Sequence, residues 1–169
     1  MTRPDLEGLP WFDPPPGFSV RAFAPGDEAH WLRIQAAADR FNEITPALFR
    51  REFGADVASL RARQRYLVAP DGVPIGTATA WFGVDPHGRA AGRLHWVAIV
   101  PAYQGRGLAR SLLADACARL RDLGHDRAYL TTSSRRAAAI GLYSRFGFVP
   151  EVLGPEDAAA WAALRGGCG

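Results

Sequence analysis

The stretch Val97-Ala98-Ile99-Val100-Pro101-Ala102-Tyr103-Gln104-Gly105-Arg106-Gly107-Leu108-Ala109-Arg110 holds the residues best suited to chemistry. Leu94 to Val100 reads as a strand, and Pro101 ends it because proline cannot donate to a ladder. A helix is expected from Gly107 to about Leu123, with Leu108, Leu112, Leu113, Ala116, Leu120 and Leu123 as its buried stripe and Gly124 as its stop. The turn between them contains two glycines. The first N–H groups of a helix have no internal acceptor, and the helix dipole adds partial positive charge at the same end. Gly105 and Gly107 let the main chain approach a bulky anion, and Arg106 and Arg110 add charge. Such a mouth suits a diphosphate. Two common phosphate binders are excluded by spelling. A Walker loop needs GxxxxGK[ST], and the chain has no lysine. A dinucleotide fingerprint needs GxGxxG, whereas the order here is Gln-Gly-Arg-Gly-Leu-Ala. A glycine-containing turn without a ligand shares this local geometry, so the turn alone leaves that alternative open.

Gln104, Gly107 and Ala109 fit the pattern [QR]xxGx[GA], which resembles the acetyl-CoA motif of the Gcn5-related N-acetyltransferase (GNAT) family. Val97-Ala98-Ile99 is similar to the V-A-V strand that precedes the motif there, and Pro101-Ala102-Tyr103-Gln104 to a frequent Pro-x-Tyr-Gln run. Downstream, Ala139-Ile140-Gly141-Leu142-Tyr143-Ser144-Arg145-Phe146-Gly147-Phe148 resembles the ending Ala-Ile-x-Leu-Tyr-x-x-x-Gly-Phe. The likeness spans about residues 93 to 150. It implies an α/β fold with a GNAT-like mixed, mostly antiparallel central sheet flanked by helices and a late β-α-β unit. The activity it implies is transfer of an acetyl group from acetyl-CoA to a primary amine, by direct attack in a ternary complex and without a metal. Further implications follow for single residues. Val97 and Ile99, with Ala98 between them, would offer main-chain groups to the thioester carbonyl and pantetheine. The amides of Gln104, Gly105, Arg106, Gly107, Leu108 and Ala109 would hold the pyrophosphate, beside Arg110. Tyr143 matches the usual general acid. Arg136 stands where relatives carry an asparagine against pantetheine, so it either meets a CoA phosphate or is solvated.

An attacking amine must shed a proton, so an acceptor for it is needed. Where some relatives place a carboxylate, this chain has Arg93; where others do, it has Thr131. His95 is predicted on the same strand face as Arg93, Val97 and Ile99, and its ordinary pKa near 6.5 suits a base. A strand histidine is also often a plain core residue. Glu43 and Glu52 are weaker candidates. Trp81, Phe82 and Trp96 are candidates for an apolar acceptor wall, and His87 has no partner identifiable from sequence.

These residues need a scaffold, and 169 residues suit one domain with one sizeable core. A Pro-rich arm is expected over residues 1–16, pinned by Trp11 and Phe12 or making dimer contacts, and a single domain over 17–165. Gly17 to Phe23 reads as the first strand. Helical patches follow near Trp31, over Pro46 to Phe53 and over Val57 to Gln64. Tyr66–Ala69 and Ile75–Phe82 read as a hairpin, and Gly83 to Gly92 as a loop. Ala128–Thr132 is a strand; Ala137–Arg145 and Pro155–Leu164 are helices.

Composition narrows the partners. No apolar run approaches the roughly 20 residues of a membrane span, and the start lacks a secretory pattern, so a cytoplasmic protein is expected. All 20 basic residues are arginine, which removes lysine bases and Schiff-base chemistry. Cys117 falls on a helical stripe and Cys168 near the end, which makes neither a disulfide framework nor a metal site. The net charge is only +3 and the arginines are scattered, which argues against nucleic acid. A small-molecule amine is expected as acceptor, since no acidic patch marks a basic peptide groove. A protein or peptide N-acetyltransferase, or a catalytically silent acyl-CoA-binding domain, remains the alternative.

Overall fold

A computed structural model describes residues 1–166; Cys168 lies outside them. The chain runs through β1 (Thr2–Arg3), β2 (Ser19–Ala22), α1 (Asp27–Ala38), α2 (Pro46–Phe53), α3 (Val57–Arg63), β3 (Gln64–Val68), β4 (Pro74–Val84) and β5 (Ala90–Ile99). After a short 3₁₀ turn at Pro101–Tyr103 come α4 (Ala109–Asp122), β6 (Ala128–Tyr129), α5 (Ala137–Arg145) and α6 (Pro155–Gly166). The strands form one sheet in the order β1-β6-β5-β4-β3-β2. Neighbours are antiparallel except β5 and β6, which are parallel and joined through α4. This is the mixed, mostly antiparallel sheet with a late β-α-β unit expected from the sequence.

Three elements differ from expectation. The supposed loop at Gly83–Gly92 is loop only between the end of β4 at Val84 and the start of β5 at Ala90, because the carboxylate of Asp85 closes a tight turn. It accepts from the backbone N–H of His87 at 2.9 Å and of Arg89 at 3.0 Å, and from Arg89 Nε at 2.9 Å. β6 stops at Tyr129, short of the expected Thr132. The strand expected first is second, because Thr2–Arg3 already pairs with Tyr129 and Ala128. Arg3 holds this edge by donating to the carbonyl of Phe146 and, at 2.7 Å, to that of Asp5. Farther along the arm, Phe12 packs on Phe146 with ring centroids 5.8 Å apart, while Trp11 remains exposed.

Each face of the sheet is covered by helices. α4 turns Leu112, Leu113, Ala116, Cys117 and Leu120 onto one face, where they meet Leu94, Ile99, Ile140 and Phe146. α1 and α2 cover the other, packing Trp31, Ile34, Phe49 and Phe53 against Tyr66 and Ala98. Burying a leucine of this size contributes about 1.5–3 kcal/mol, so the α4 stripe is the main anchor of the β-α-β unit. Leu112→Ala is therefore expected to lower unfolding free energy by about 2–5 kcal/mol, read as a shift in urea midpoint at unchanged slope.

Candidate active site

β5 is where the sheet opens. It shares only the pairs Gly92 with Ala128 and Arg93 with Tyr129 with β6. Beyond them the two strands part. On its other side, β5 pairs Thr79 with His95 and Thr77 with Ala98, so two residues, Trp96 and Val97, stand opposite one. This is a β-bulge, with Trp96 in the left-handed region at φ 49°. A tryptophan there costs about 1–2 kcal/mol. Three contacts hold it in place. Gln35 of α1 donates to the Trp96 carbonyl at 2.9 Å, the Trp96 indole donates to Glu52 at 3.1 Å, and its ring meets Trp31 edge-on at 5.2 Å. The bulge corrects the expected strand parity: Ala98, not Ile99, shares the face of His95, and Ile99 packs toward α4.

Two cavities occupy the opening. The larger, about 650 Å³, is lined by Val97, Ala98, Ile99, Gln104, Gly105, Gly107, Leu108, Ala109, Arg110, Arg136 and Tyr143 among others. Almost all the expected cofactor residues thus converge. Arg106 does not line it; its guanidinium lies over the Tyr103 ring at 5.2 Å. Among the described residues, the N–H groups of Gly105, Arg106, Gly107 and Leu108 have no main-chain acceptor. Gly105 and Gly107 adopt φ 74° and 78°, and a Cβ on either would meet nothing. Their backbone angle, rather than crowding, is what requires glycine. Gln104 turns its side chain inward, donating to the carbonyl of Ile99 at 2.7 Å and tying the turn to β5. That carbonyl is consequently occupied. The free donors and the dipole of α4 fit a diphosphate.

The second cavity, about 600 Å³, is lined by Glu52, Arg93, His95, Trp96, Thr131, Thr132 and Ser133. Val97, Arg136 and Tyr143 line both cavities, so the two meet at the bulge. Trp96 reaches the wall as expected. Trp81 and Phe82 do not; they stack on each other at 5.0 Å, with Arg63 over Phe82. His87, without a partner in the sequence reading, is paired with Glu151 at 2.5 Å.

His95 Nε2 lies 2.9 Å from Glu52. Burial, then the Arg93 charge, push the imidazolium down to about 4 despite Glu52, so His95 is neutral at pH 7. Burial alone would raise the Glu52 carboxyl, but the N–H donors of Trp96 and His95 hold it below its ordinary value. An ionised carboxylate only accepts, so the neutral ring carries its proton on Nε2 and leaves Nδ1 as an acceptor. Tyr143 is buried, and burial pushes its phenol up to about 12. Arg136 departs from the solvated reading: it pairs with Asp39 at 3.1 Å and lies over Phe41. The contact joins the end of α1 to the start of α5. Gln35 and Asp39 were not singled out from sequence. The one usable signal was a glutamine on a stripe otherwise made of Trp31, Ile34 and Ala38.

The profile of the acetyltransferase (GNAT) family matches residues 29–148. The chain belongs to that family. Mycothiol acetyltransferase of Cellulomonas flavigena is 32% identical over 166 residues, covering 85% of this chain and 45% of the relative. That of Streptomyces coelicolor is 33% identical over 154 residues, covering 88% and 48%. The chain thus spans about half the length of these relatives. A GNAT structure from Sphaerobacter thermophilus superposes with a TM-score of 0.69 at 22% identity, over 86% of this chain and 46% of that one. The NatC complex bound to Gag peptide and CoA gives 0.65 at 20%, over 80% and 86%. At such identities these two structures speak for the fold.

Two outcomes follow for this GNAT site. Unfolded His95 takes a proton near 6.5 and the native residue only near 4, so its contribution to stability is full above 6.5 and lost as pH falls toward 4. Wild type should lose up to about 3 kcal/mol more than His95→Gln between pH 7 and 4, in urea titrations. Gly107→Ala should weaken CoA binding roughly 10-fold in calorimetry, since a left-handed alanine costs about 1–2 kcal/mol.

Proposed function

We propose that the chain transfers an acetyl group from acetyl-CoA to the primary amine of a small molecule, by direct attack in a ternary complex. The observation that carries this reading is the meeting of the two cavities at Val97 and Tyr143, one lined by free main-chain donors and the other by His95 and Glu52. Family membership supports acetyl transfer. The similarity to mycothiol acetyltransferases supports a small-molecule acceptor.

In this reading the amides of Gly105 to Ala109 hold the pyrophosphate, with Arg110 alongside, and the free edge of β5 at Val97 receives pantetheine. Acetyl-CoA, when bound, supplies an activated carbonyl and a thiolate leaving group. His95 takes the proton of the attacking amine at Nδ1, directly or through one water, and Glu52 steadies the charge it gains. Tyr143 donates a proton toward the departing sulfur. A phenol near 12 is a weak acid, but a thiol buried in the same core rises with it: Cys117 is also pushed up to about 12. Arg136, fixed by Asp39, forms the rim between the two substrates rather than a phosphate contact.

The test is thiol release from acetyl-CoA against a panel of primary amines. Turnover with at least one small amine is expected. CoA binding with no thiol release would favour the silent acyl-CoA-binding alternative. Tyr143→Phe should bind CoA normally and turn over at least ~10-fold more slowly, because general acid catalysis contributes roughly 100-fold or more. An unchanged rate would remove Tyr143 from the chemistry.

A further inference from the structure

Among the described residues two arginines of the acceptor cavity's wall, Arg93 and Arg135, lack a carboxylate; Arg135 is exposed to water, whereas Arg93 is half-buried. Its Nε is sealed from solvent and has no hydrogen-bond acceptor, and among the described residues its guanidinium makes no ion pair. Its guanidinium lies over the face of Tyr129, 5.8 Å from the ring centroid. Arg136, on the same cavity, is neutralised by Asp39. A guanidinium left half-buried without a carboxylate is costly unless something binds there. The two acids of this cavity are engaged elsewhere, Asp39 with Arg136 and Glu52 with His95 and Trp96, and Thr131 to Ser133 offer only hydroxyls, so among the described residues no acid pairs with Arg93.

We propose that Arg93 selects the acceptor, by binding a carboxylate or phosphate carried on the same small molecule as the amine. The proposal rests on the acetyl-transfer reading above. A guanidinium offers paired donors that match the two oxygens of such a group. Arg93 lies two residues before His95 on the same face of β5, roughly 7 Å along the strand. The acid and the amine of the acceptor are therefore only a few bonds apart. Neutralising Arg93 also removes one of the two influences that keep His95 unprotonated, burial being the other. An acidic acceptor would thus strengthen the base that it needs, and a neutral amine would not.

The experiment compares matched acceptors: β-alanine with β-alaninamide, and phosphoethanolamine with ethanolamine, with wild type, Arg93→Gln and Arg93→Lys. Wild type should favour one acid over its neutral partner by about 100-fold in kcat/KM, the size expected when a buried charge pair loses a partner. The carboxylate and phosphate pairs tell which acid is taken. Arg93→Gln should bring that ratio near one, chiefly through KM, and Arg93→Lys should restore part of it because charge returns without the fork. CoA affinity should stay the same in both variants, which separates specificity from loss of fold. Equal use of acid and neutral amines by wild type, or an unchanged preference in Arg93→Gln, overturns the proposal. Calorimetry of the four compounds on CoA-loaded protein separates it from the reading beneath it. Acid binding that Arg93→Gln abolishes, without turnover, leaves the role of Arg93 standing and removes acetyl transfer. Absence of both binding and turnover of the acids overturns the proposal itself.

Discussion

β5 and β6 stay in register for two residue pairs and then separate, and everything the site does is arranged around that gap. A sheet that stayed zipped would have no room between Val97 and the start of α5. The bulge at Trp96 and Val97 bends β5 beside the gap, and its cost is met from neighbouring elements. Gln35 and Trp31 come from α1 and Glu52 from α2. Glu52 therefore serves twice, bracing the bulge through the indole of Trp96 and orienting His95. Changing it would disturb the bulge and the imidazole together.

The other side of the gap depends on α4. Its buried stripe fixes the helix against the sheet, which aims its first turn at the mouth of the larger cavity. Gln104 then ties the glycine turn to the last carbonyl of β5. The loop is thus held by its own side chain, while the N–H groups of Gly105 to Leu108 have no main-chain acceptor among the described residues. Opposite, the Asp39–Arg136 pair clasps α1 to α5 above the junction of the cavities. Free main-chain donors and a neutral imidazole thus line the two ends of one continuous opening.

Local features were the most legible in the sequence. Helix α5 was expected at Ala137–Arg145 and occurs there, because its alanines and its Leu142-Tyr143 face encode it locally. The motif at Gln104, Gly107 and Ala109 marked the turn that opens α4 and lines the larger cavity, for the same reason. What escaped was set at a distance. The bulge reverses the facing of Ile99 relative to His95, and no alternation of residue types announces it, since its props lie on α1 and α2. Arg136 and Asp39 are 97 positions apart, so their pairing had no local trace. The short β6 and the extra strand β1 are decided by pairing geometry, not by propensity over two residues. Gln35 was a polar residue on an apolar stripe, and such a misfit is worth reading as a prop for irregular backbone elsewhere.

The most direct measurement is amide hydrogen exchange of the protein with and without saturating CoA. Exchange at Gly105, Arg106, Gly107 and Leu108 should slow markedly on binding, because these free donors would then have phosphate acceptors. Bound CoA that leaves those four amides exchanging as before would contradict the account.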